Sequence, residues 1–200
     1  MKKRTYFILS MVTAFILLLQ PIYIAANNIT PRLDLGCVWY DTPKNLFFYC
    51  DFDTNEREAV RAAMNTWNAV DDTDGTSIIT MFLTTGEATN VVEKVSSYWQ
   101  WVGHCDITQI YGEIISVRVQ LGSEYKWSTT GEPDAYDVQT VALHELGHAL
   151  GVAHCHEADE GDGPCWSATC LSNVMYPIVS LGEINTTLKS YDISSYRVLY

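Results

Sequence analysis

"ALHELGHALGVAHC", residues 142–155, decides how this 200-residue chain is read. Only five histidines occur in the chain, and His144, His148 and His154 fall inside this window. On a helix, positions four apart lie one above the other, with Cβ atoms about 5–6 Å apart. Two imidazoles at that spacing converge on one ion from a rigid support. Gly151 suits the left-handed turn that ends a helix, and His154, three residues further on, can then reach the same ion from below. Zinc takes nitrogen ligands at about 2.0–2.1 Å in a tetrahedron, and three protein ligands leave its fourth position open. Glu145 follows His144 by one residue and points roughly 100° away from it around the helix. It would flank the open position without coordinating, take a proton from metal-acidified water and return it to a departing amine. The chemistry implied is hydrolysis of an amide bond. Five fixed residues at a few per cent each recur by chance in roughly one chain in 10⁵, so histidines meeting by accident on a helix face are a poor explanation. His156 is the rival third ligand, and the glycine spacing favours His154. His104, in "WQWVGHCD", reads as an ordinary strand histidine.

Working outward, Asp134 or Asp137 caps the helix that bears the motif, which runs "VQTVALHELGHAL" and stops at Gly151. An earlier helix is expected in "TNEREAVRAAMNTWNAV", with Thr54 or Asn55 as cap and Val60, Ala63, Met64 and Trp67 recurring at helical offsets. Between the two, "TSIITMFLTT", "ATNVVEKVSSYWQWV" and "GEIISVRVQLG" read as strands. The last alternates, with Ile115, Val117, Val119 and Leu121 assigned to one side. The "DDTDG" turn at 71–75 has calcium-loop composition as its alternative. Pro177 forbids a helix in "SNVMYPIVS". A third helix closes the chain, capped by Ser190 or Thr187, with Leu188, Ile193, Tyr196 and Leu199 on its apolar face.

Lys2, Lys3 and Arg4 followed by the apolar run Tyr6 to Leu19 and the small pair Ala25-Ala26 read as a secretory signal peptide, 1–26. The apolar run is shorter than the roughly 20 residues a span needs, so no stable membrane partner is expected after cleavage. Of 12 basic and 24 acidic residues, cleavage removes three basic and no acidic ones, leaving nine against 24 and a net charge near −15. Such a surface repels nucleic acid. Six cysteines, 37, 50, 105, 155, 165 and 170, favour disulfides in an exported chain. Cys37 with Cys50 is the expected pair, across two extended runs joined at Asp41 to Asn45. Cys165 with Cys170, or either with Cys155, would staple the loop after the histidines.

The string His144-Glu145-x-x-His148-x-x-Gly151-x-x-His154 resembles the zinc motif of the metzincins, and "NVMYP" at 173–177 resembles their Met-turn. "REAVRAAMNTW", "DVQTVALHELGHALGVAH" and "LKSYDISSYRVLY" resemble the three helices of the matrixins. The resemblance implies an α+β fold over 27–200: a twisted, mostly parallel five-stranded sheet, two long helices and a small C-terminal part with a third helix. It implies one catalytic zinc on His144, His148 and His154, Glu145 as general base and Met175 as an apolar floor. The segment "PRLDLGC" at 31–37 departs in spacing from the Pro-Arg-Cys-Gly of matrixin propeptides, so latency through a thiol on the zinc is not expected. The function expected is that of a secreted, monomeric zinc endopeptidase acting on extended peptides. A zinc-holding scaffold that only binds proteins and another zinc amidohydrolase are the alternatives. "SSYWQWVGHC", 96–105, is expected as the edge strand that pairs with substrate. Val141, Tyr176, Pro177 and Val179 are expected to wall an apolar pocket beside the metal.

Overall fold

A computed structural model describes residues 35–71, 78–97, 101–155 and 168–200, all within one compact unit. Five strands form one sheet: β1 (Lys44–Cys50), β2 (Ile79–Thr84), β3 (Asn90–Val95), β4 (Gly103–Ile110) and β5 (Glu113–Gly122), in the order β2-β1-β3-β5-β4. Every neighbouring pair is parallel except β4 with β5. The antiparallel strand β4 therefore lies at an edge, with one side of its backbone outside the sheet. The expected edge stretch 96–105 overlaps β4 only from Gly103 onward. A two-residue parallel pair, β6 (Trp127–Ser128) and β7 (Tyr136–Asp137), precedes the motif helix.

Helix α1 (Thr54–Asn68) turns Ala59, Val60, Ala63, Met64 and Trp67 into the core, the face its periodicity predicts. Its cap is Asp53, one residue before the expected Thr54 or Asn55; the carboxylate accepts the Glu56 N–H at 3.0 Å. Helix α2 (Val138–Ala149) packs against α1 and against β4 and β5. It is buried almost all round, with nine of its twelve residues inside. Asp137, one of the two expected caps, accepts from the Thr140 N–H and from its hydroxyl, both at 2.7 Å. The helix ends as expected at Gly151, whose φ of +85° only glycine adopts readily. The Gly151 and Val152 N–H groups fold back onto the carbonyls of His148 and Gly147, closing the helix with a Schellman pair.

A single helical turn (Ala168–Leu171) and α3 (Ser190–Leu199) follow. The cap of α3 is Lys189, ahead of the expected Ser190 and in place of Thr187, because Asp192 reaches back to the Lys189 N–H at 2.8 Å. Tyr196 on α3 tilts against Trp67, with ring centroids 6.0 Å apart, and its hydroxyl accepts the Ile79 N–H. That contact joins α3 to the main core. Among the described residues no helix is long and apolar enough to cross a membrane.

Two expectations fail for reasons of topology. Ile115 is 42% exposed while Ile114 is 1% exposed. Thr108 stands opposite Ser116 but Gln109 stands opposite Ile114, so Ile115 is the extra residue of a bulge and the alternation flips there. Cys37 and Cys50 are not bonded to each other. Their segments never face one another as a hairpin: β1 joins β2 and β3 in parallel, whereas Val38 bridges Glu113. Among the described residues the disulfide formed is Cys155–Cys170, one of the pairings left open. The "DDTDG" turn beyond Asp71, Cys165 and the leader segment lie outside the described residues.

Replacing Asp137 with alanine removes both capping bonds from a buried helix start and is expected to cost about 1–2 kcal/mol. Urea denaturation measures it; an unchanged midpoint would show that the cap contributes nothing.

Candidate metal centre and active site

The three motif histidines meet. Nε2 of His144 lies 3.1 Å from Nε2 of His148 and 3.2 Å from that of His154, and the latter two lie 3.0 Å apart. Local structure fixes two of the rings. Nδ1 of His144 is 2.7 Å from the Val174 carbonyl, and Nδ1 of His148 is 2.8 Å from the Val152 carbonyl. A carbonyl can only accept, so each Nδ1 carries the proton and each Nε2 presents a lone pair to the others. His154 is placed by its neighbour: the Cys155 N–H donates to the Met175 carbonyl at 3.0 Å, and Cys155 is tied to Cys170.

The Nε2 lone pairs of His144 and His148, directed at one another at 3.1 Å, repel. Burial, then the neighbouring His154, pushes His144 down to about 4. The Val174 carbonyl and the more remote Asp192 oppose that shift in part. Burial, His144 and His154 hold His148 well below its ordinary value. His144 and His148 thus keep the neutral form that binds metals. Nitrogens about 2.0–2.1 Å from a tetrahedral ion stand roughly 3.3–3.4 Å apart, close to the spacing here. The donor set fits zinc, with the fourth side open.

Glu145 is buried beside the triad, and both border a cavity of about 310 Å³. Burial alone pushes its carboxyl up to about 8; a divalent cation at the triad would oppose that shift. Across from it runs β4. A Cβ on Gly103 would stand 2.5 Å from Glu145 Oε1 and 2.6 Å from Val141 Cγ1, so glycine is what lets the edge strand come this close. Cys105 lines the same cavity, its thiol held well above its ordinary value by burial and then by Glu145. His104, set aside in the sequence, pairs with Asp106 at 2.9 Å and is not part of the triad. His156 lies outside the described residues.

Met175 is fully buried beneath α2. Any Cβ on Gly147 would overlap its sulfur and crowd Trp67, so the small residue inside the motif makes room for the floor. Val141, Tyr176, Pro177 and Val179 all line a second cavity, of about 290 Å³, adjoining His144 and Glu145. Sequence reading missed its polar members Thr140, Asn173, Glu183 and Asn185. Asn185 donates its backbone N–H to Thr140 Oγ1 and its amide to the carbonyls of Ser172 and Asn173, holding the pocket loop to α2. Nothing in local spacing announces such a loop contact.

A mostly parallel five-stranded sheet over two helices, with two histidines of the triad on the second helix and the third just past its end, is the architecture of the zinc metalloproteases that the motif resembles. A matrixin profile matches residues 52–200, and the chain belongs to the matrixin family. Over 92 residues it is 25% identical to the metalloendoproteinase 2-MMP of Arabidopsis thaliana. That alignment covers 42% of this chain and 21% of the relative, so it spans about a fifth of the relative's length.

His154→Ala is expected to weaken zinc binding by more than the roughly 10–100-fold that loss of an outer hydrogen-bond partner costs, whereas His156→Ala leaves it near wild type. Competitive metal titration of both variants measures this, and the opposite ranking would move the third ligand to His156.

Proposed function

We propose that residues 27–200 are a zinc-dependent endopeptidase domain, exported by the segment 1–26 and acting on extended peptides. The observation that carries this reading is the triad of converging Nε2 atoms with a buried carboxylate in the same cavity, directly beneath a sheet edge. His144, His148 and His154 hold the metal. Zinc, when bound, supplies the positive charge that acidifies water and polarises a carbonyl.

The remaining work falls to the protein. Glu145 accepts the proton of the attacking water and delivers it to the leaving amine, which typically contributes 10²–10⁴-fold. A carboxylate raised by burial and lowered by a metal's charge is suited to both halves of that exchange. Met175 closes the floor below the triad without bonding to the metal. The exposed edge of β4 pairs with the main chain of the substrate, a mode indifferent to side-chain identity. Selectivity comes from the 290 Å³ cavity, whose walls Val141, Val174, Pro177 and Val179 favour a medium or large hydrophobic residue just after the cut bond. A protein-binding scaffold without turnover has no use for a carboxylate buried at a cost beside the metal, which favours the hydrolase.

Glu145→Ala is expected to keep the fold and bind zinc stoichiometrically while cleavage of denatured protein falls about 10²–10⁴-fold. Wild-type cleavage by that variant, or its loss of zinc, contradicts the role given to Glu145.

Gly103→Ala separates position from presence. The added methyl meets both the end of the Glu145 side chain and the buried Val141 Cγ1. Cleavage per folded molecule is therefore expected to drop, by less than the roughly 10²–10⁴-fold that loss of the carboxylate costs, while overpacking costs about 1–3 kcal/mol of stability. Equal activity in the variant would show that the close approach of β4 does not set the carboxylate.

A further inference from the structure

Asp192 lies on α3, 48 residues from His144 in sequence, yet it is fully buried. Backbone N–H groups surround it. Oδ1 accepts from Met175 at 3.0 Å, and Oδ2 accepts from Val174 at 3.1 Å and from Lys189 at 2.8 Å. The Lys189 bond starts α3. The Met175 bond does something else. Its N–H belongs to the same peptide unit as the Val174 carbonyl, and that carbonyl accepts the Nδ1 proton of His144 at 2.7 Å. One planar amide thus has a carboxylate at its N–H end and an imidazole at its carbonyl end.

We propose that Asp192 is a positioning residue for the metal centre, acting on His144 through the 174–175 peptide. This inference rests on the zinc reading given above. A carboxylate drawing on the amide N–H pushes electron density toward the carbonyl oxygen, because the peptide bond is conjugated. The richer oxygen holds the His144 proton more strongly on the Nδ1 side, which fixes the tautomer and makes Nε2 a better donor. In metal sites a carboxylate often takes the outer imidazole proton directly; here a peptide unit stands between them. The Val174 and Met175 bonds also fix the chain segment bearing Met175, so ring orientation and floor share one anchor. No neutral side chain reproduces this: an asparagine would turn an NH₂ group toward N–H donors. A purely structural cap for α3 would need only the Lys189 bond.

The experiment compares wild type, Asp192→Asn and Tyr196→Phe. Tyr196→Phe weakens the anchoring of α3 at Ile79 without touching the 173–175 segment, and so controls for simple loosening. Two quantities are read: the zinc dissociation constant by chelator competition, and the NMR resonance of the His144 Nδ1 proton with and without zinc. Asp192→Asn is expected to weaken zinc about 10–100-fold and to move the Nδ1 proton upfield, while Tyr196→Phe changes neither. Unchanged affinity and resonance in Asp192→Asn, or equal losses in Tyr196→Phe, overturn the proposal. If Asp192→Asn does not fold, replacing Met175 by its α-hydroxy acid removes that N–H and also weakens the Val174 carbonyl as an acceptor, so both ends of the link are lost at once. Unchanged zinc affinity in the resulting ester overturns the link just as firmly. A wild type that binds no zinc refutes the metal reading alone, since the Nδ1 resonance of the metal-free protein still decides whether Asp192 acts on His144.

Discussion

Three imidazole Nε2 atoms meet at 3.0–3.2 Å, two of them with lone pairs facing one another, an arrangement that a cation relieves, and much of the molecule is organised to hold them there. Two of the rings are turned by backbone carbonyls that accept their outer protons. The third is placed by the Cys155–Met175 backbone bond and the adjacent disulfide. A buried polar cluster of this kind is costly to assemble unless every member has a partner. Here the three Nε2 atoms all meet on the inside of the triad, where a metal would fit.

Holding that cluster rigid requires α2 to be a core helix. Its late carbonyls, which a free helix end would expose, are met from outside: Trp39 Nε1 donates to Ala149, the Tyr200 hydroxyl to Leu150, and the Leu35 N–H to Gly151. The first described residues and the last one therefore both finish the same helix end. Trp67 on α1 donates to the Leu143 carbonyl, one residue before His144. Close approach then depends on missing side chains. Gly103 admits the edge strand to Glu145, Gly147 admits Met175, and Gly151 passes the Cys37 carbonyl at a distance no Cβ would allow. Exposure of β4 at the sheet edge and enclosure of the triad beneath it follow from one packing arrangement.

The convergence of the three histidines was legible because its geometry is written in short offsets: i and i+4 on a helix, a glycine to end it, and three residues to return. The buried face of α1 was legible for the same reason, since Ala63, Met64 and Trp67 repeat at helical spacing. Elements defined by distant partners were not. Ile115 and Ile114 exchange places because of a bulge set by β4, and Cys37 and Cys50 part company because β1 finds its neighbours 30 or more residues downstream. Gly103 looks like any strand glycine until Glu145 stands across from it. Asp192 is one of 24 acidic residues, and its tie to His144 runs through a peptide bond that no side-chain pattern records.

X-ray absorption at the zinc edge of the metal-loaded protein examines the centre directly, independent of turnover. Three imidazole nitrogens and one further light atom at about 2.0–2.1 Å is the shell this account predicts. A sulfur at about 2.3 Å, which Cys105 in the same cavity could supply, or fewer than three imidazoles, would contradict the open three-histidine site on which the whole reading stands.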